Sequence, residues 1–224
     1  MSVSTLFIFS CKHPYGELSD NATQVGDTTT PCDASKIYFQ QQVLPILVSN
    51  CAMSGCHDDA THKEGVVLTS YQKVIATAEV RPGNPGNSKL YKVLVDTDPG
   101  DRMPEPPQNP LTAQQIQIVY MWIQQGAQNL VCANMCDSSL FTYSGAIMNL
   151  VQNKCQGCHS GTNAQGSIDL STYTLLKARV TDGKLWGSIN HQSGFSPMPM
   201  NGTKLSDCEI TQFQKWIAAG SPNN

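Results

Sequence analysis

Charge is scarce in this 224-residue chain: Asp, Glu, Lys and Arg together make up 14%, and the formal net charge is only -3. No long basic run occurs, which argues against nucleic acid as a partner. No apolar stretch is long enough to span a bilayer as a helix. Strand-type alternation of any strength is also missing, so the elements expected are helices and loops. Hydrophobic residues nevertheless reach 40%, which suits a globular body and not a disordered chain. At 24.3 kDa that body is one large domain or two small ones. Cysteine, by contrast, is abundant. Nine of them are too many for an ordinary cytosolic enzyme and point to an oxidising compartment.

Residues 155–159 read CQGCH, and residues 51–57 read CAMSGCH. Two cysteines followed at once by a histidine form the attachment site of a c-type haem. The thiols add to the two haem vinyl groups as thioethers, and the next residue reaches the iron as an imidazole. Cys155, Cys158 and His159 have the standard spacing. Cys51, Cys56 and His57 carry two extra residues between the thiols, which forces a bulged loop and keeps the Cys-His step. The competing readings are structural zinc, a thioredoxin-like redox pair and, for the first motif, a small-loop disulfide. Zinc needs further ligands nearby and a redox pair needs a βαβ context; neither is in the sequence.

Aligning the two motifs exposes an internal duplication. Cys32-Asp33 and Cys136-Asp137 each lie 19 residues before the first motif cysteine. Between them, Val43, Leu44, Ile46 and Leu47 match Ile147, Met148, Leu150 and Val151, the buried stripe of a short helix. Pro45 is expected to kink that helix or delay its start. Gly65, Leu68 and Tyr71 answer to Gly166, Leu170 and Tyr173. Each copy closes with an amphipathic helix, in which Ile116, Val119, Trp122 and Ile123 match Ile210, Phe213, Trp216 and Ile217 at a constant shift of 94. Thr112 with Gln115, and Ser206 with Glu209, are capping boxes that start these helices, and Gly126 and Gly220 suit their ends. The Pro-rich stretches 82–87 and 104–110 read as rigid loops within the first copy. The expected organisation is a leader and flexible tether over 1–31, a first haem domain over 32–132 and a second over 133–224.

The remaining axial ligand must come from elsewhere in each copy. Met103-Pro104 and Met198-Pro199 precede the closing helices in equivalent places. A thioether sulfur suits an electron-transfer haem, because it raises the potential relative to a second histidine. Core packing is the commoner fate of a methionine, but a Pro-rich polar loop recurring in both copies favours ligation. Met200 is the local rival to Met198, and its first-copy equivalent is Glu105, which has no such role. His62 and His191 are fallback ligands without a histidine counterpart in the other copy. His13 falls in the tether.

With Cys11 of the leader set aside, four cysteines then remain, Cys32, Cys132, Cys136 and Cys208, and sequence alone does not choose among their three pairings. The pairing put forward is Cys32–Cys132 with Cys136–Cys208, each tying the ends of one domain together. The N-terminus, MSVSTLFIFSC, has a short apolar run ending at Ser10-Cys11, similar to the end of a bacterial lipoprotein signal with Cys11 as the lipidated residue. It departs from that pattern in having no Lys or Arg before the run and a bulky Phe9 near the cut.

At these residues the chain resembles the cytochrome c superfamily, and more narrowly the planctomycete-type cytochrome c domain common in bacteroidete lipoproteins. The shared features are the haem motif, the Gly-x-Leu-type segment, the "RMP" and "SPMP" methionine loops and the closing "WI..GA" helix, over about residues 32 to 224. The second copy matches well and the first departs in its Cys51–Cys56 spacing. The resemblance implies an all-α fold of two tandem cytochrome c-like domains with long Pro/Gly-rich loops, in which N- and C-terminal helices cross. It also implies two covalent haem c groups attached outside the cytoplasmic membrane, hence a periplasmic or outer-membrane-surface protein, lipid-anchored through Cys11. Its partners are then a redox donor and acceptor, or a larger cytochrome complex of which it is a subunit. The function expected is electron transfer with axial pairs His57/Met103 and His159/Met198 and no catalytic residue. The enzyme alternative is a dihaem peroxidase, for which Glu105 beside Met103 is the one candidate acid/base group.

Overall fold

A computed structural model describes residues 24–25, 32–132, 135–200 and 204–224. The lipoprotein-like Ser10-Cys11 and His13 lie outside the described residues, as does most of the expected tether. Within the tether, β1 (Gln24–Val25) pairs in parallel with β2 (Leu130–Val131), so these two residues are backbone-bonded to the end of the first half. Among the described residues these are the only strands; everything else regular is helical.

The first half runs α1 (Leu44–Asn50), α2 (Tyr71–Thr77), α3 (Lys89–Leu94) and α4 (Ala113–Gln124). The second runs α5 (Met148–Lys154), α6 (Tyr173–Thr181), α7 (Lys184–Ile189) and α8 (Asp207–Ala218). α1 is preceded by a π-helical turn at Phe39–Val43, and α5 by one at Tyr143–Ile147. Pro45 therefore does not cause the irregularity, because the second half has the same widened turn without a proline. It sits in the first turn of α1, where its missing N–H costs nothing. Phe39, fully buried, and Tyr143, half-buried, open these turns.

Each half has its own apolar cluster. Phe39, Val43, Ile46, Leu47, Val74 and Val119 are fully buried in the first, and Ile147, Leu176, Phe213 and Trp216 anchor the second. The same aromatic corner recurs. Phe39 lies 5.1 Å from Trp122 and 5.2 Å from Tyr71; Tyr143 lies 6.0 Å from Trp216 and 5.1 Å from Tyr173. Both tryptophans satisfy their buried N–H six residues on, Trp122 at the Gln128 carbonyl and Trp216 at the Pro222 carbonyl, each at 2.9 Å. The Tyr71 and Tyr173 hydroxyls donate to the carbonyls of Ala127 and Ser221 at 3.0 and 2.7 Å.

Both capping boxes form, Thr112 with Gln115 and Ser206 with Glu209. Gly126 and Gly220 end these helices at φ +96 and +86, which glycine adopts without strain. Disulfides join Cys32 to Cys132 and Cys136 to Cys208, with Cα atoms 5.9 and 6.1 Å apart. Cross-linking residues 100 and 72 apart restricts the unfolded chain by roughly 4–5 kcal/mol each in the loop-entropy picture.

Candidate functional site

Among the described residues, Cys51, Cys56, Cys155 and Cys158 are the cysteines left without a disulfide. Each pair stands where a helix stops: Cys51 caps α1 and Cys155 caps α5, their N–H groups donating to Leu47 and Val151 at 2.9 Å. The chain then turns so that the histidine folds back on the first cysteine. The His57 N–H donates to the Cys51 carbonyl at 3.1 Å, and the His159 N–H to the Cys155 carbonyl at 2.9 Å. The two extra residues of the first loop are absorbed before this bond, with Gly55 at φ +87 making the reversal. Downstream, Lys63 N–H donates to the Cys56 carbonyl and Gln165 N–H to the Cys158 carbonyl, both at 2.8 Å. Leu68 N–H and Leu170 N–H close the loops on the His57 and His159 carbonyls at 3.0 and 2.8 Å. One backbone pattern thus holds both motifs.

The imidazoles differ. Nδ1 of His159 lies 3.2 Å from the carbonyls of Gln165 and Ile168, so Nδ1 carries the proton and Nε2 keeps its lone pair for a metal. Nδ1 of His57 is buried with no hydrogen-bond partner among the described residues, and so is Nη1 of Arg102. Burial pushes the Cys51 and Cys155 thiols up to about 12. Burial also raises Cys158, and the Cys56 thiol adds to the effect.

Met103 and Met198 are each half-buried between two helices of their half. The Met103 N–H donates to the Val93 carbonyl on α3 at 2.8 Å, and the Met198 N–H to the Ser188 carbonyl on α7 at 3.1 Å. These are matching positions, and both Met–Pro peptide bonds are cis. Met200 is 59% exposed. His62 and His191 are both exposed, and Nε2 of His191 is 3.1 Å from the Met198 carbonyl. Glu105 is at the surface, ion-paired with Lys63 at 2.7 Å.

The donor set can be tested against the rival chemistries. Among the described residues no group of three or more His, Cys, Asp and Glu gathers that could hold a metal ion, which leaves structural zinc without its ligands. A porphyrin brings four nitrogens of its own and asks the protein for thiols, one free imidazole nitrogen and an axial partner. The residues here fit that request. Arg102 Nη1, buried and unpartnered beside Met103, fits an acidic group such as a haem propionate.

Three positions that sequence reasoning passed over belong to this region. Arg102 stands in the RMP stretch, which was read only for its methionine. Ser49 and Gly157 bring α1 and the second attachment loop together: a Cβ on Gly157 would lie 2.0 Å from the Ser49 carbonyl oxygen. The glycine in CQGCH was the available signal.

A family model described as Planctomycete cytochrome C matches residues 54–108. The match covers less than half of the chain and spans Cys56, His57, Arg102 and Met103. It supports a cytochrome c-type domain, for which a covalent haem c and haem-based electron transfer are the corresponding chemistry. The match falls in the half with the looser cysteine spacing, the half that departs from the family pattern at Cys51–Cys56. The helical architecture agrees with an all-α cytochrome c-like fold. Domains of this type are typically extracytoplasmic, and no helix among the described residues is long and apolar enough to cross a membrane. No curated protein and no solved structure matches the chain.

Proposed function

We propose that this chain is a dihaem electron carrier built from two tandem cytochrome c-like domains, working outside the cytoplasmic membrane between a redox donor and a redox acceptor. Cys51 and Cys56 hold one haem c and Cys155 and Cys158 the other. His57 with Met103, and His159 with Met198, are the axial pairs. When bound, each iron porphyrin supplies reversible one-electron exchange, tuned by its axial ligands and surroundings.

The observation that carries this reading is the repeated backbone pattern around both motifs. The same histidine-to-cysteine, post-motif and methionine-to-helix bonds recur at matching positions in the two halves. A loop that keeps its hydrogen bonds while absorbing two extra residues is conserving the placement of its thiols and imidazole. His159 adds the tautomer a metal ligand needs. The half-buried Met198 is a better axial candidate than the exposed Met200. Glu105, the candidate acid/base group of the peroxidase alternative, is at the surface and paired with Lys63, which speaks against that role. Lipid anchoring through Cys11 and membership of a larger cytochrome assembly extend this proposal to its setting.

Intact mass and a pyridine haemochrome count on the purified protein test the reading. Two haems per chain are expected, falling to one in the double variants C51A/C56A and C155A/C158A. One haem in the unaltered chain removes a site. Absence of the red methionine-to-ferric-iron band, with two haems present, removes the methionine assignment.

A further inference from the structure

The two attachment regions do not stand apart. α1 and α5, the helices that lead into the motifs, pack against each other. Where they end, Ser49 joins the halves. Its Oγ donates to the Asn153 carbonyl at 2.8 Å, and its own carbonyl faces Cys158 Sγ at 3.5 Å. Gly157 makes the approach possible, because a Cβ there would also fall 2.7 Å from Asn50 Oδ1. Around this point the first loop's Met53 Sδ receives the Gln165 amide at 3.6 Å. Gln115 Nε2 donates to the Gln152 carbonyl at 3.3 Å. At the rim, Asn109 Nδ2 donates to Ser160 Oγ at 3.2 Å, and Asn163 Nδ2 to the Pro107 carbonyl at 3.3 Å.

This seam has a chemical meaning that rests on the two-haem reading. Cys158 is bonded directly to one porphyrin edge in that reading, and Ser49 is two residues from Cys51, which is bonded to the other. From the Cys158 sulfur to Cys51 there is one non-covalent step, onto the Ser49 carbonyl, and then only backbone. Tunnelling decays steeply with distance and far more slowly along bonds than through gaps. We propose that the Ser49–Gly157–Cys158 contact is the electron path between the two sites, so that the chain works as one coupled pair and not as two independent carriers. In the step one electron leaves the iron of one site, which becomes ferric, and reduces the ferric iron of the other to ferrous. No bond breaks and no proton moves. A one-electron donor facing either half can then load both sites.

The test uses the full-length holoprotein, half-reduced by a flash-generated one-electron reductant and followed optically as the two sites equilibrate. The expected equilibration rate is independent of protein concentration. A rate proportional to protein concentration means exchange between molecules and overturns the path. In G157A, with both haems retained by haemochrome count, the added methyl must push the Ser49 carbonyl away. The rate should then fall by an order of magnitude or more; an unchanged rate overturns the proposal. If G157A does not fold, Ser49→Ala, which removes the Oγ bond to the Asn153 carbonyl that holds the seam, takes its place with the same two outcomes. A count of one haem in the unaltered protein marks failure of the two-haem reading itself, a result distinct from two haems that do not exchange.

Discussion

The halves share a frame and differ around the imidazole. In both, an aromatic trio, a capped closing helix and a methionine clasped to the preceding helix surround the motif. In the second, two backbone carbonyls fix His159, whereas in the first Nδ1 of His57 has no partner and a buried guanidinium nitrogen stands unpaired at Arg102. The second half also carries a largely buried ion pair, Lys154 with Glu209 at 2.6 Å, where the first has the neutral Asn50 and Gln115. In the proposed two-haem reading, what recurs would grip the haem and what varies would set its electronic environment.

The shared frame should break symmetrically. Trp216→Ala and Trp122→Ala each remove a buried indole and its N–H bond, and each should lower stability by about 3–5 kcal/mol in denaturant unfolding. A much smaller loss at one site would mean that its half does not rest on the aromatic corner.

The buried thiols give a second comparison, between haem-free and haem-loaded protein. Burial raises Cys51 and Cys155 from 9.0 to about 12, so the folded haem-free chain holds these protons more tightly than the unfolded one. That contribution to stability is present in full below pH 9 and is lost as the pH rises from 9 towards 12. Thioethers carry no such proton. Thermal melts from pH 8 to 11 should therefore fall more steeply for the haem-free protein, and parallel curves would contradict the burial of the free thiols.

The ion pair offers a finer contrast. Lys154→Met should cost roughly 1–3 kcal/mol, since it leaves Glu209 without its cation while the remaining 19% and 14% exposure of the two side chains admits some solvent screening. Transplanting the first half's residues, with Lys154→Asn and Glu209→Gln together, should restore most of it. Failure of the double variant to recover would place the lysine's value in its packing.

The finest contrast is electronic. A histidine whose Nδ1–H is hydrogen-bonded is the more basic ligand and favours ferric iron. The unbonded His57 and the Arg102 cation, adjacent in sequence to Met103, both act the other way at the first site. A redox titration should show the first site reduced before the second. Arg102→Gln should lower the first step and leave the second unmoved; a shift in both steps, or in neither, contradicts the assignment.

The elements that sequence reasoning reached were those written in local chemistry. Capping boxes, terminal glycines, the Cys–His steps and the Met–Pro pairs each declare themselves within a few residues. The disulfide partners followed from the positions of four cysteines relative to the copies. The π turns escaped because a widened turn changes backbone register and leaves no mark in side-chain type. Pro45 was given responsibility for an irregularity that its proline-free counterpart shares. The seam escaped for another reason. Ser49 and Gly157 lie in different halves, and their meeting depends on how α1 and α5 pack, which no local pattern reports. Arg102 likewise shows nothing in sequence beyond its place in the RMP stretch, and the burial of its Nη1 depends on the fold.

The disulfides also decide where tension would run. A pull on the polypeptide from Cys32 onward passes through sulfur to Cys132, along three residues to Cys136, and through sulfur again to Cys208. Everything enclosed by those two staples, including both motifs and both methionines, lies off the load-bearing line. Force applied along the polypeptide would bypass both attachment loops and both methionine loops.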